Sequence, residues 1–215
     1  MQVGRLAKVC GRVFVSRAEE EIPVSAALAH PIGQNTIEDW LAADQPEDGS
    51  RLELILGYFH VSQSPSVQHQ FAGDELRLLF KQALRDAGRD DLSAVTAVAA
   101  EISSLMRTGL IPDVVVIDIR PFGTSVKAKN LILAAEVWSP GNTRGERESK
   151  IIAYANAGVP YFWALHQNRF GDVSVTAYRL ENGQYVEELT AQPGETVTVK
   201  AAPVPVTFDP AMLSP

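Results

Sequence analysis

Three residues of this 215-residue chain have the types and spacing of a site that could hydrolyse a phosphodiester. Asp113 opens the run Ile111-Pro-Asp-Val-Val-Val, Glu136 interrupts the run Leu131-Ile-Leu-Ala-Ala-Glu-Val, and Lys150 follows Glu136 by 14 residues. Carboxylates suit Mg²⁺, a hard cation that prefers oxygen ligands. A metal held this way activates a water and neutralises phosphate charge. A lysine beside it orients the water or stabilises the developing charge.

Each residue also has a plainer reading. Aspartate is a poor strand former, so a turn explains Asp113 as well as a site does, and Asp118 at the far end of the same run is a rival. Glu136 is more telling, because a carboxylate among apolar neighbours is rare unless paired or bound to metal. In strict alternation it shares a face with Ile132 and Ala134, and joins Leu131 only if a bulge intervenes. Lys150 lies four residues before Tyr154, on a helix face that should pack inward. A lysine there either snorkels or serves a site. Arg144, Arg147 and Glu148 belong to exposed faces of that helix.

The elements that position these residues can be read from pattern. Thr36 caps a short helix, and residues 51–61 form a hairpin turning near Gly57. Ser64-Pro65-Ser66 starts a helix running to about Ala87, with Leu76, Leu79, Phe80, Ala83, Leu84 and Ala87 as its buried stripe. Residues 94–102, 111–119 and 131–138 read as strands. Thr143-Arg-Gly-Glu146 matches a capping box. Its helix runs to Ala157 and ends at Gly158. Strands follow at 161–165, 173–180 and 184–189, the last two joined by a turn at Asn182-Gly183, and 197–200 adds another. Residues 1–34 carry no clear pattern beyond a strand around 9–15. We therefore divide the chain into an extension, 1–34, and one domain, 35–215.

Composition narrows the function. Cys10 is the only cysteine, so neither an internal disulfide nor a thiolate zinc site is available. No apolar stretch reaches membrane-spanning length, and Arg5, Lys8 and Arg12 interrupt the N-terminus where a secretory signal needs an apolar core. A cytoplasmic location is expected. The net charge of −7 argues against non-specific coating of nucleic acid. Residues 119–150, with six Lys and Arg against three Glu, carry +3 and leave −10 for the rest. That basic zone could meet a phosphate backbone, though solvated surface loops are the simpler reading. There is no Gly-rich phosphate loop, Gly-x-Ser-x-Gly elbow or His-Glu-x-x-His.

Taken in order, several segments resemble the Uma family of restriction-endonuclease-like proteins. They are Leu52-Glu-Leu-Ile-Leu-Gly57, Ser64-Pro-Ser-Val-Gln-His-Gln70, Ile111-Pro-Asp-Val-Val-Val116, Ala134-Ala-Glu-Val-Trp-Ser-Pro140 and Glu148-Ser-Lys-Ile-Ile-Ala-Tyr154 running on to Trp163. Val173-Ser-Val-Thr-Ala-Tyr178 and the tail 205–213 extend the likeness to about residues 35–213. The resemblance implies the PD-(D/E)xK nuclease fold, an α/β architecture with a mixed β-sheet flanked by helices. It implies Asp113 and Glu136 as ligands of Mg²⁺ or Mn²⁺, Glu53 as a further acid and His69 as a recurrent helix-start histidine. Read without it, Glu53 alternates with Leu52 and Leu54 and should face solvent, and a lone histidine is more often structural. The common motif places its lysine two residues after the glutamate, where this chain has Trp138; Lys150 matches the helix-borne lysine of the Uma pattern. Leu56 replaces a usual turn-forming Asp, and residues 1–34 have no counterpart. The implied activity is endonuclease cleavage of nucleic acid, DNA first, by a homodimer with surface offered by the C-terminal strands and Tyr161–Trp163. The alternative is a catalytically silent module that binds protein or nucleic acid.

Overall fold

A computed structural model of the protein describes residues 32–215. The strand around 9–15 lies outside the described residues. Chain order is α1 (Ile37–Ala42), β1 (Arg51–Ile55), β2 (Tyr58–Ser62), α2 (Val67–Asp86), β3 (Ser93–Thr96), β4 (Ala99–Ser103), β5 (Thr108–Leu110), β6 (Val114–Ile117), β7 (Ser125–Lys127), β8 (Leu131–Trp138), α3 (Arg144–Asn156), β9 (Tyr161–Gln167), β10 (Val173–Glu181), β11 (Gln184–Ala191), β12 (Val197–Val199) and β13 (Val206–Phe208).

The six-stranded sheet has the order β11-β10-β9-β8-β6-β3 and is mixed. β8 and β9 are parallel, with α3 as their crossover; the other neighbours are antiparallel. Parallel neighbours need such a crossover, whereas a two-residue turn serves the antiparallel β10–β11 pair at Asn182-Gly183. Both turn residues have positive φ, as that tight turn requires. A five-stranded sheet, β2-β1-β5-β4-β7, lies against one part of this framework, and β12 pairs with β13.

Both faces of the six-stranded sheet are covered, so its central strands are apolar throughout instead of alternating. On one face, Val116, Leu133, Trp163 and Val175 pack with Leu76 and Phe80 of α2 and with C-terminal residues such as Phe208. Phe80 meets Trp163 edge to face at 4.9 Å, and the Trp163 indole N–H donates to the Ala201 carbonyl at 2.7 Å. On the other face, Val115, Ala134 and Phe162 pack with Tyr154 of α3 and with Ala100, Leu110 and Val126 of the second sheet.

Several expectations need correction. The single strand at 94–102 is two strands in different sheets, broken where Ala97 adopts a left-handed φ of 49°. The strand at 111–119 shortens at both ends to β6, and at its start Pro112 has no N–H to give a ladder. β5, β7 and β13 are additional, each only three residues long and too short to show a period. The α2 stripe begins at Ala72 and ends at Leu84; Ala87 is the exposed C-cap. Thr143 accepts from the Glu146 N–H as expected, but the Glu146 carboxylate takes the Asn142 side-chain amide at 3.0 Å. Phe162 and Trp163 are fully buried and offer no surface to a second copy.

Candidate active site

β6 and β8 bring the two carboxylates together. Their register pairs Val114 with Ala135, so Asp113 comes opposite Glu136 one step along. The strict-alternation reading of β8 fails at one point. The ladder steps from Val116–Leu133 to Ile117–Leu131, leaving Ile132 as the extra residue of a bulge. Leu131 therefore joins the face of Ala134 and Glu136, while Ile132 packs against the α2 face. Downstream the alternation is regular, and Glu136 projects to the α3 side.

α3 supplies the cation. Lys150 and Tyr154 are its buried residues, one turn apart on the inward face. The Lys150 ammonium donates to Glu53 Oε1 at 3.0 Å and to Glu136 Oε2 at 3.3 Å. The Tyr154 hydroxyl donates to Glu136 Oε1 at 2.7 Å. Glu53 comes from β1 in the second sheet and is 3% exposed, which overturns the solvent-facing reading. Its Oε1 also accepts the Ile111 N–H at 2.8 Å, so it ties the segment before Asp113 to the hairpin.

Asp113 is held from three directions. Arg51 Nη1 lies 2.5 Å from Oδ1, the Val137 N–H donates to Oδ2 at 2.7 Å, and His69 Nε2 lies 3.3 Å from Oδ2. The other ring nitrogen of His69, Nδ1, is buried without a hydrogen-bond partner among the described residues. Asp118 is exposed and accepts from Asn130 at 2.9 Å, outside this group.

Glu53, His69, Asp113, Glu136 and Lys150 thus line one cleft of about 600 Å³. Of the basic zone at 119–150, only Lys150 lines it; Lys127 and Lys129 are exposed elsewhere. Arg147 departs from its expected exposed face: its guanidinium sits 5.4 Å over the Trp138 ring and donates to the Ser139 carbonyl at 2.8 Å. Trp138, at the common lysine's position, is buried against Phe162 and brings no charge.

Burial raises both carboxylates, and their different neighbours drive them apart in acidity. Burial pushes Asp113 up, but the His69 hydrogen bond and the His69 and Arg51 charges outweigh it and hold the carboxyl down at about 2. Glu136 goes the other way: burial, aided by Asp113 and Glu53, overcomes Lys150 and raises it to about 7. Burial opposes the charge on Lys150, yet Glu136 and Glu53 raise its pKa, so it stays an ammonium. Two residues of this network escaped the sequence reading. Arg51 shares a strand face with Glu53 by period two, and that spacing was its available signal. Tyr154 sits at i+4 from Lys150 and served only as a marker of the inward face.

By donor type, three buried carboxylates in one cleft fit a hard divalent cation. Their oxygens are engaged by the protein's own Arg51 and Lys150, and among the described residues no three His, Cys, Asp or Glu side chains are gathered closely enough to hold a metal ion.

Comparisons with known proteins agree with this architecture. One solved structure, described as "a putative nuclease belonging to DUF820" from Anabaena variabilis, superposes with a TM-score of 0.62 at 17% identity, covering 84% of this chain and 97% of that one. At that identity the likeness shows the fold alone, a mixed-sheet α/β fold. No curated protein matches the chain. The model of the Uma2 family, described as "Putative restriction endonuclease", matches residues 37–209, the span that carries every residue of the cleft network, and the chain belongs to that family.

Proposed function

We propose that the protein is a divalent-metal-dependent nuclease that hydrolyses phosphodiester bonds in nucleic acid, with DNA the first substrate to test. One observation carries the reading: the Lys150 ammonium reaches Glu136 and Glu53 inside the cleft that Asp113 closes from the neighbouring strand. Asp113 and Glu136 would hold Mg²⁺ or Mn²⁺, with Glu53 as a further acid. The metal, when bound, supplies Lewis acidity to a water and to the phosphate.

The chain's own residues set the rest. Lys150 is protonated at neutral pH, so it donates hydrogen bonds and stabilises negative charge rather than taking a proton. Tyr154 fixes one oxygen of Glu136 and leaves the other toward Lys150. His69 and the Val137 N–H orient Asp113. In the reaction, water forms a bond to phosphorus, a phosphorus–oxygen ester bond breaks, and the departing oxygen gains a proton. We place this activity in the cytoplasm and assign two copies to the two strands of a duplex, a dimer that light scattering at micromolar concentration tests.

The deciding experiment is plasmid cleavage with Mg²⁺ and with Mn²⁺, comparing wild type with Asp113→Ala. Cleavage by wild type alone supports the reading; equal cleavage by both, or none by either, sinks it. A second reading, a silent nuclease-fold module, is favoured by the pairing of all three carboxylates with Arg51 or Lys150. A melting temperature indifferent to millimolar Mg²⁺ and Mn²⁺ would select it, because a cation that binds the folded state must raise stability.

A further inference from the structure

The cleft cannot supply the affinity for a polyanion by itself. Its lining includes two cations, Arg51 and Lys150, against four carboxylates, Glu53, Asp113, Glu136 and Glu146, so two minus four leaves −2 when all are ionised. Both cations are already paired with carboxylates. The chain as a whole carries −7. Non-specific nucleic-acid affinity comes chiefly from Lys and Arg that displace counterions from phosphates. Those cations must therefore stand elsewhere.

A second groove, of about 290 Å³, has the opposite charge. Arg77, Lys81, Arg85 and Arg89 line it, and Asp90 is the one carboxylate in its lining, so four minus one gives +3. Arg77, Lys81 and Arg85 stand one helical turn apart along α2, a row about 12 Å long. Among the described residues none of these three side chains has an ion pair or hydrogen bond, whereas Arg89 is held by Asp91 at 2.7 Å. Three cations without an ion pair thus share one concave row on a chain of net charge −7. The opposite wall is β3, an outer strand of the six-stranded sheet. The same helix carries His69 into the cleft eight residues before Arg77, about 12 Å along its axis.

We propose that this groove is a nucleic-acid backbone site, where Arg77, Lys81 and Arg85 hold the phosphates of a strand whose scissile bond lies in the cleft. The choice of nucleic acid over another polyanion rests on the proposed nuclease function. Phosphate contacts of this kind position a substrate without reading its sequence. The acidic cleft then performs chemistry on a strand it does not itself attract.

The test measures binding and chemistry separately on the full chain. Binding of fluorescent 30-mer single-stranded and duplex DNA is followed by anisotropy in EDTA over a salt series. The variant R77A/K81A/R85A is compared with K127A/K129A/K200A, which removes three exposed cations outside the groove. The groove variant should bind on the order of 10- to 100-fold more weakly at 0.1 M salt, with its log–log salt slope smaller by about two on single strands and by nearly three, about 2.7, on duplex. The control should bind like wild type, and both should hydrolyse bis(p-nitrophenyl) phosphate with Mn²⁺ at the wild-type rate. Equal weakening in both variants, or none in the groove variant, overturns the groove. Groove-dependent capture of poly-glutamate with no binding of DNA overturns it in favour of an acidic protein partner. Groove-dependent DNA binding by a protein inert toward the small phosphodiester supports the groove and overturns the nuclease reading.

Discussion

The two faces of the six-stranded sheet use the same strands for different ends. On the α2 face, β8 presents Leu133, Ala135 and Val137 to an apolar core. On the α3 face, the same strand presents Ala134, Glu136 and Trp138, and a buried ionic network replaces part of the packing. Apolar packing stabilises in proportion to the area removed from water. A buried ion pair repays its own desolvation only partly, and well-packed apolar residues often do as well or better. The α2 face is therefore apolar throughout, and the α3 face gives up part of its packing, at a cost in stability, for a charged cleft.

Deleting packing on the α2 face should have the largest effect. Phe80→Ala removes the edge-to-face partner of Trp163 and should cost about 3–5 kcal/mol, read by urea unfolding. A loss below about 1 kcal/mol would show that this face is not the stabilising one.

Breaking the network from one side should cost nearly as much, but the loss should be reversible by a second change. Lys150→Ala strands Glu53 and Glu136 as buried, unpaired carboxylates, a cost of about 3 kcal/mol or more. Lys150→Met combined with Glu53→Gln and Glu136→Gln should recover most of it while remaining inactive in cleavage. If the triple variant is no more stable than Lys150→Ala, charge is not what distinguishes the faces.

The pH profile gives a smaller contrast. Glu136 titrates near 7 in the folded protein against 4.5 for an unperturbed glutamate, so the folded state binds the extra proton in between. Its contribution to stability is complete below about pH 4.5 and is lost as pH rises through 7. Asp113 works in the opposite sense, its contribution present above 3.8 and lost as pH falls toward about 2. Glu136→Gln should flatten the fall in stability between pH 4.5 and 7, whereas Phe80→Ala should lower the whole curve without changing its shape. A slope unaltered by Glu136→Gln would refute the assignment.

The smallest effect belongs to the hairpin that carries Arg51 and Glu53. Leu56 turns that hairpin with φ at 51°, where an L side chain is strained, and Asn is better tolerated. Leu56→Asn should add about 1 kcal/mol and leave both faces untouched. Hydrogen exchange at Gly57, whose N–H donates to Arg107, should slow in step.

What was legible in the sequence follows from the same contrast. Strands covered on both faces leave long apolar runs, so β6 and β8 stood out and Glu136 was conspicuous within its run. Lys150 was visible because its helix has one inward row. Glu53 was misread from pattern alone because the neighbours that bury it are distant in sequence, Lys150 being 97 residues away. The break at Ala97 was hidden because it is a change of sheet within an unpunctuated run. Arg51 was missed because an arginine on a strand reads as a solvated rim until its partner, 62 residues on, is known.

The bulge in β8 bears on how this lineage can gain and lose residues. Ile132 is the extra residue of that strand, and its removal would leave a regular ladder and keep Leu133 opposite Val116, hence Glu136 opposite Asp113. A residue deleted between Leu133 and Glu136 would instead rotate the carboxylate into the apolar core on the α2 face. Length variation among relatives should therefore collect at or before residue 132, while the four-step interval from Leu133 to Val137 stays free of gaps. The bulge acts as a reading-frame buffer: it absorbs a change of length upstream without transmitting a change of phase to the glutamate.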